Sequence, residues 1–348
     1  MNRKEFLQLC TGIIGGLGIN GYVSNAAIAD SDDNNQLGTE YLVKGLTGMA
    51  STLTRPELKK WWFDGHYGAA VLAGYYLCKE NSLDRRTVAA IKAELDKMID
   101  SQAALFAPFP EERVDSELVE NVPKALGPAI DGGIRAGGHA VIFAALSTKA
   151  LRDVPDMAQP TIVRGLTRLS RNIAKSRLHK PDGEASYSST QAMIDATFDS
   201  VARFKDVLGR PSIKRPNFTH MFTHTDALMT LDTLGYADLV KAGHAGHSVH
   251  IGPAVPRIDR ENHPKGKHAT LDEVMHSSYW ENKENQAQWS RKFNVKTNRN
   301  GLWLAAGHLF KVLYAFHRLS KQIKDKEKVR LCSMLLLERY FNPDVQGG

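Results

Sequence analysis

An all-α fold built from repeated helical hairpins is predicted by three features of this 348-residue chain. Apolar residues recur at helical spacing, no stretch shows the sustained alternation of β-branched residues that marks strands, and helix breakers fall between the periodic segments. A composition of 42% hydrophobic and 24% charged residues excludes disorder, collagen and coiled coil.

Residues 1–29 read as a cleavable export signal. Arg3-Lys4 opens a charged stretch, a Gly-rich apolar run spans Ile13 to Gly21, and Ala27-Ile28-Ala29 precedes the acidic run Asp30 to Gln36. The apolar run is much shorter than the roughly 20 residues of a membrane helix. Its order resembles a twin-arginine signal, with Lys4 where a second arginine is usual. That resemblance implies an exported protein, periplasmic or extracellular, with no integral membrane association. Residues 30–40 are then a polar linker and 41–348 a single all-α domain. Cys78 and Cys332 fall in helical patterns, and two separate buried thiols are expected rather than a disulfide.

In chain order, the periodicity predicts helices over Ala69–Tyr76, Val88–Phe106, Ala140–Leu151, Ile162–Leu178, Ala192–Leu208, Ala227–Leu234, Ala237–Ala245, Leu302–Leu319 and Val329–Phe341. Breaks include Pro108-Phe109-Pro110, Asp131-Gly132-Gly133, Pro181-Asp182-Gly183 and Gly235. The segment 252–267, with Pro253, Pro256, Pro264 and several basic residues, is expected to be a polar flap. The tract His244, His247, His250, His263, His268 and His276 reads as a lid or substrate-contacting segment, since the first three progress around the preceding helix, with a second metal site as the alternative.

A weak repeat links the helices. His66, His139, His224 and His308 each stand near the start of an apolar segment, at intervals of 73, 85 and 84 residues, and each segment is followed by a second helix. Hairpins repeated in this way stack into an open superhelix or close into an α/α toroid or incomplete α/α barrel, and a compact chain favours closure. The inner helix starts then share one mouth, where backbone amides favour anions. In this layout, over residues 41–341, the chain resembles the α/α-toroid superfamily of sugar epimerases, polysaccharide lyases, glycoside hydrolases and lanthionine-type cyclases. No catalytic motif of those families is matched, and Cys78 and Cys332 do not reproduce the cyclases' zinc cysteines.

The four histidines are candidate ligands for a transition metal (Zn, Cu or Fe), or a cluster of acid and base groups. His220-x-x-x-His224 adds an i,i+4 pair, although Pro216 and Thr219 suggest that the segment enters a helix there. Asp64 and Asp226 are candidates to orient an imidazole or act as base, Arg135 and Lys311 to bind an anionic substrate, and Tyr314 to transfer a proton. Helix capping alone accounts for either aspartate taken singly. Trp61-Trp62-Phe63 and other aromatics offer stacking surfaces for a sugar, although most belong to the core.

The formal charge of +7 is spread along the chain, with no basic stripe and no helix-turn-helix, RNP or zinc-finger spacing, so nucleic acid is not an expected partner. No nucleophile elbow, P-loop, dinucleotide fingerprint or haem-attachment motif occurs. The expectation is an exported enzyme with a histidine-built, metal-binding site acting on a small molecule or glycan by oxidation or hydrolysis. A metal-independent carbohydrate lyase, hydrolase or epimerase is the alternative, and a noncatalytic metal or ligand carrier the third.

Overall fold

The structure, a computed structural model, describes residues 36–58, 61–183, 185–210, 213–258, 269–290 and 301–341. The export segment, the linker up to residue 35 and the part of the flap over 259–267 lie outside the described residues. Among the described residues the chain is all-α. The longer helices are α1 (Glu40–Ser51), α2 (Gly65–Lys79), α3 (Arg85–Ser101), α4 (His139–Asp153), α5 (Pro160–Ile173), α6 (Thr190–Ala202), α7 (Phe218–Thr233), α8 (Ala237–Ile251), α9 (Lys283–Ser290), α10 (Gly301–Ser320) and α11 (Lys326–Phe341). The described strands are β1 (Ile134–Arg135) and β2 (Leu178–His179), paired antiparallel with Ile134 opposite His179. No described helix is long and apolar enough to cross a membrane.

Local signals set the helix starts. The Asp84 carboxylate accepts from the Thr87 amide at 2.9 Å ahead of α3, and the Ser189 hydroxyl accepts from the Ala192 amide at 3.1 Å ahead of α6. Asn217 does the same for the His220 amide at 3.3 Å, which starts α7 at Phe218, well before the apolar run from Ala227. His220 and His224 therefore both lie within one helix. Helix α10 begins at Gly301, one residue before its expected start, so His308, its eighth residue, sits two turns in and not at its start. Periodicity overlooked α1, whose Gly45 and Gly48 lower helix propensity. Those small residues serve packing: a Cβ on Gly68 of α2 would lie 2.5 Å from the Gly45 carbonyl oxygen and the Met49 amide of α1.

Four helices form the centre. Helix α2 packs against α4 and α10, and α7 packs against the same two. All of α2 from Gly65 to Cys78 is buried, and its apolar residues face every direction accordingly. Around this centre α1 and α3 lie on α2, α5 on α4, α8 on α7, and α11 on α6 and α10. Phe198, Phe222 and Phe316, all fully buried with ring centroids 4.9 to 5.5 Å apart, join α6, α7 and α10. Cys78 and Cys332 are buried free thiols.

Candidate metal centre

The central helices bring histidines together from four places in the chain. His66 is the second residue of α2, His139 the first of α4, His220 the third of α7 and His308 the eighth of α10. One ligand nitrogen from each of His66, His139 and His308 lies within 4.8 Å of the other two. Ring centroids are 4.5 Å apart for His66–His139, 4.8 Å for His66–His308 and 4.6 Å for His139–His220. His66 and His139 are buried, 1% and 4% exposed.

Backbone carbonyls set the proton positions. His66 Nδ1 donates to the Phe63 carbonyl at 2.6 Å, and His139 Nδ1 donates to the Ala136 carbonyl. A carbonyl only accepts, so each neutral ring carries its proton on Nδ1 and turns an Nε2 lone pair inward. Those two Nε2 atoms are 2.8 Å apart. Two lone pairs at that separation repel unless a proton or a cation lies between or beside them. A proton is disfavoured here. Burial, followed by the positive Lys311, pushes His139 down to about 3, and burial, Lys311 and the neighbouring imidazoles hold His66 well below its ordinary value. A cation held by both Nε2 atoms would remove that repulsion without adding a proton to either ring.

The turn before α4 supplies this geometry. Ala136 has φ 45°, Gly137 φ 62° and Gly138 φ 81°, three successive left-handed residues. A Cβ on Gly137 would meet His220 Nδ1 at 2.6 Å, and one on Gly138 would meet His224 Cδ2 at 2.6 Å, so this turn needs both the backbone freedom and the missing side chains.

His220 differs from His66 and His139. Because Asn217 Oδ1 accepts the His220 backbone amide, its amide nitrogen faces His220 Nδ1 at 3.1 Å. That nitrogen only donates, so His220 Nδ1 accepts and its Nε2 carries the proton. His220 is therefore a hydrogen-bond donor beside the other rings.

His224, on the same face one turn later, stands next to α8, with His250 at 5.2 Å and His247 at 6.4 Å between centroids. The α8 histidines do not form an exposed lid. His247 is fully buried, its Nδ1 bonded to the Tyr187 hydroxyl at 2.7 Å and its Nε2 to the hydroxyls of Thr197 and Thr225. Of the expected flap, residues 252–258 are irregular.

The other predicted site residues are distributed differently. Asp226, Lys311 and Tyr314 line one cavity of about 10 Å³ between α7 and α10, room for about one water. Arg318 pairs with Asp226 at 2.7 Å, and burial pushes the Asp226 carboxyl up to about 6 against that pairing. The Tyr314 hydroxyl accepts from Lys149 at 2.7 Å and donates to Glu80 at 3.3 Å. Lys311 is buried, and burial pushes its ammonium down to about 7. It stands one turn after His308 and bears on His66, His139 and His220 electrostatically. Arg135 is turned away: its guanidinium donates to the Asp131 carbonyl at 3.0 Å and the Ala129 carbonyl at 3.3 Å. Asp64 closes the turn Trp62–Asp64, and its side chain makes no cap bond to α2.

Aromatic groups wall the centre: Trp62 and Phe63 belong to the stacking surface expected from the sequence, whereas Phe143 was not expected there. Trp62 lies 5.1 Å from His139, Phe63 4.1 Å from His66, and Phe143 5.4 Å from His66, between ring centroids. Trp61, 37% exposed, stacks on Phe63 at 4.7 Å and carries this aromatic wall to the surface. The place of Phe143 one turn after His139 was the available signal for it. Asn217 was not expected either, and its signal was its place three residues before His220.

No protein-family model, no curated protein and no solved structure matches this chain.

Proposed function

We propose that this chain is an exported, metal-dependent enzyme whose helical hairpins close into an α/α toroid around a transition-metal ion held by His66, His139 and His308. One observation carries the reading: the facing Nε2 atoms of His66 and His139, each deprotonated because its Nδ1–H is given to a backbone carbonyl. Such backbone anchoring of the distal nitrogen is the usual support of a metal-ligating histidine. Imidazole suits Zn, Cu and Fe. Neutral ligands leave the ion's charge uncompensated, which strengthens its polarisation of a bound water or substrate oxygen. Helical packing supports the toroid, since α2, α4, α7 and α10 contact one another in circuit and the hairpin partners α3, α5, α8 and α11 pack outside them.

Within this reading His220 donates a hydrogen bond to a bound oxygen, and Lys311 supplies a nearby amine for an anionic group or a proton. Trp62 and Phe63 give a ring-shaped or apolar substrate a face to stack on. Zinc held by these residues would supply Lewis-acid activation of water for hydrolysis, and copper or iron would allow oxidation of substrate with dioxygen as the electron acceptor. Export rests on the segment ending at Ala29.

A second reading uses no metal: His66 and His139 share one proton and act as an acid and base pair on a carbohydrate. The 2.8 Å spacing fits that hydrogen bond as well, but burial opposes the added charge. Elemental analysis of the purified full-length protein separates the two. Stoichiometric metal, lost in His66→Ala and His139→Ala variants that remain helical by circular dichroism, supports the first. A folded metal-free protein that does not take up zinc, copper or iron removes it, and uptake without any turnover makes the chain a carrier.

A further inference from the structure

A second pair of close imidazoles lies beside the first. His250 Nε2 is buried without a hydrogen-bond partner. In a neutral imidazole one nitrogen carries the proton and the other a lone pair. His224 is 1% exposed, and its Nδ1 is likewise buried without a partner. The ring centroids are 5.2 Å apart. Two imidazoles on one ion, with metal–nitrogen bonds of about 2.1 Å, hold their centroids roughly 4.5 to 5.5 Å apart. A buried nitrogen left without a partner is costly. This enclosure holds two, and the turn whose Ala136 carbonyl anchors His139 also leaves room for His224 at Gly138.

We propose that His224 Nδ1 and His250 Nε2 hold a second transition-metal cation, distinct from the ion at His66, His139 and His308, with its remaining positions filled by solvent or substrate. His247 is excluded as a ligand because both its nitrogens are already bonded. His220 is kept from this ion by its Nε2 proton, which the Asn217 amide fixes. The inference goes beyond the proposed function and is separable from it.

The test is a count of bound ions. Purified full-length protein, stripped with a chelator, is titrated with Co²⁺ and the bound metal is measured together with the visible absorption of the ion. Two equivalents are expected for the wild type and one for a His224→Ala/His250→Gln double variant. A His66→Ala/His139→Ala double variant should also keep one, which tests the second site should the former variant fail to fold. A single equivalent in the wild type that is unaffected by the His224 and His250 changes overturns the second site, assigns the pair to a bridging water and leaves the first site standing. Two equivalents that persist in the His224/His250 variant also overturn it. No bound cobalt in the folded wild type overturns both sites.

Discussion

The side-chain amide of Asn217 donates to His220 Nδ1 at 3.1 Å while its carbonyl oxygen caps the His220 backbone amide, so one residue both starts α7 and decides which nitrogen of His220 carries a proton. Replacing the amide by a carboxylate reverses that choice, because a carboxylate accepts from Nδ1–H. Asn217→Asp should move the proton from Nε2 to Nδ1, seen in the nitrogen shifts of His220 by NMR, with the cap preserved. Asn217→Ala should instead lose about 1 kcal/mol of stability in denaturant unfolding. An unchanged His220 tautomer in a folded Asn217→Asp protein would refute the assignment.

Gly137 and Gly138 have a testable cost. Their left-handed angles disfavour any Cβ by about 1–2 kcal/mol each, and the added atom would push on His220 or His224. Gly137→Ala should lower the melting temperature and displace His220; Gly138→Ala should disturb His224 first. Resonances of these two rings that do not move in either variant would contradict the crowding.

Lys311 makes a pH prediction. Its folded value, about 7, is below the ordinary 10.5, so between those values the unfolded chain holds a proton that the folded chain lacks. Stability therefore rises with pH over that window, by up to about 1.4 kcal/mol per unit, and the burden of the buried charge is fully present below pH 7. Lys311→Met should flatten this slope and stabilise the protein at neutral pH. If the enzyme reading holds, turnover falls in the same variant. Urea unfolding from pH 7 to 10 decides it: equal slopes in both proteins would mean that Lys311 is not charged at the expense of folding.

The contact between α1 and α2 depends on Gly68. A methyl group there would meet backbone atoms of Gly45 and Met49 that have no rotamer to yield. Gly68→Ala should cost about 1–3 kcal/mol, measured by chemical denaturation, without altering metal content. A neutral substitution would show that α1 can shift outward freely.

Helix class was readable from the sequence because periodicity is a property of neighbouring residues: Ala140–Leu151 and Leu302–Leu319 fall within helices that run a few residues further. His66 and His139 were readable as a pair because each stands where a helix begins and shares its setting. His308 and His224 fitted that alignment by interval, yet one lies two turns into its helix and the other faces α8. Tertiary structure alone brought His250 of α8 toward α7, turned Arg135 onto backbone carbonyls, and enclosed Lys311, Asp226 and Tyr314 around one cavity. The reason is physical. A sequence determines which residues can share a helix face, whereas tautomer, burial and ligand spacing depend on carbonyls and rings contributed by segments far apart in the chain, and those distances exist only once the helices have packed.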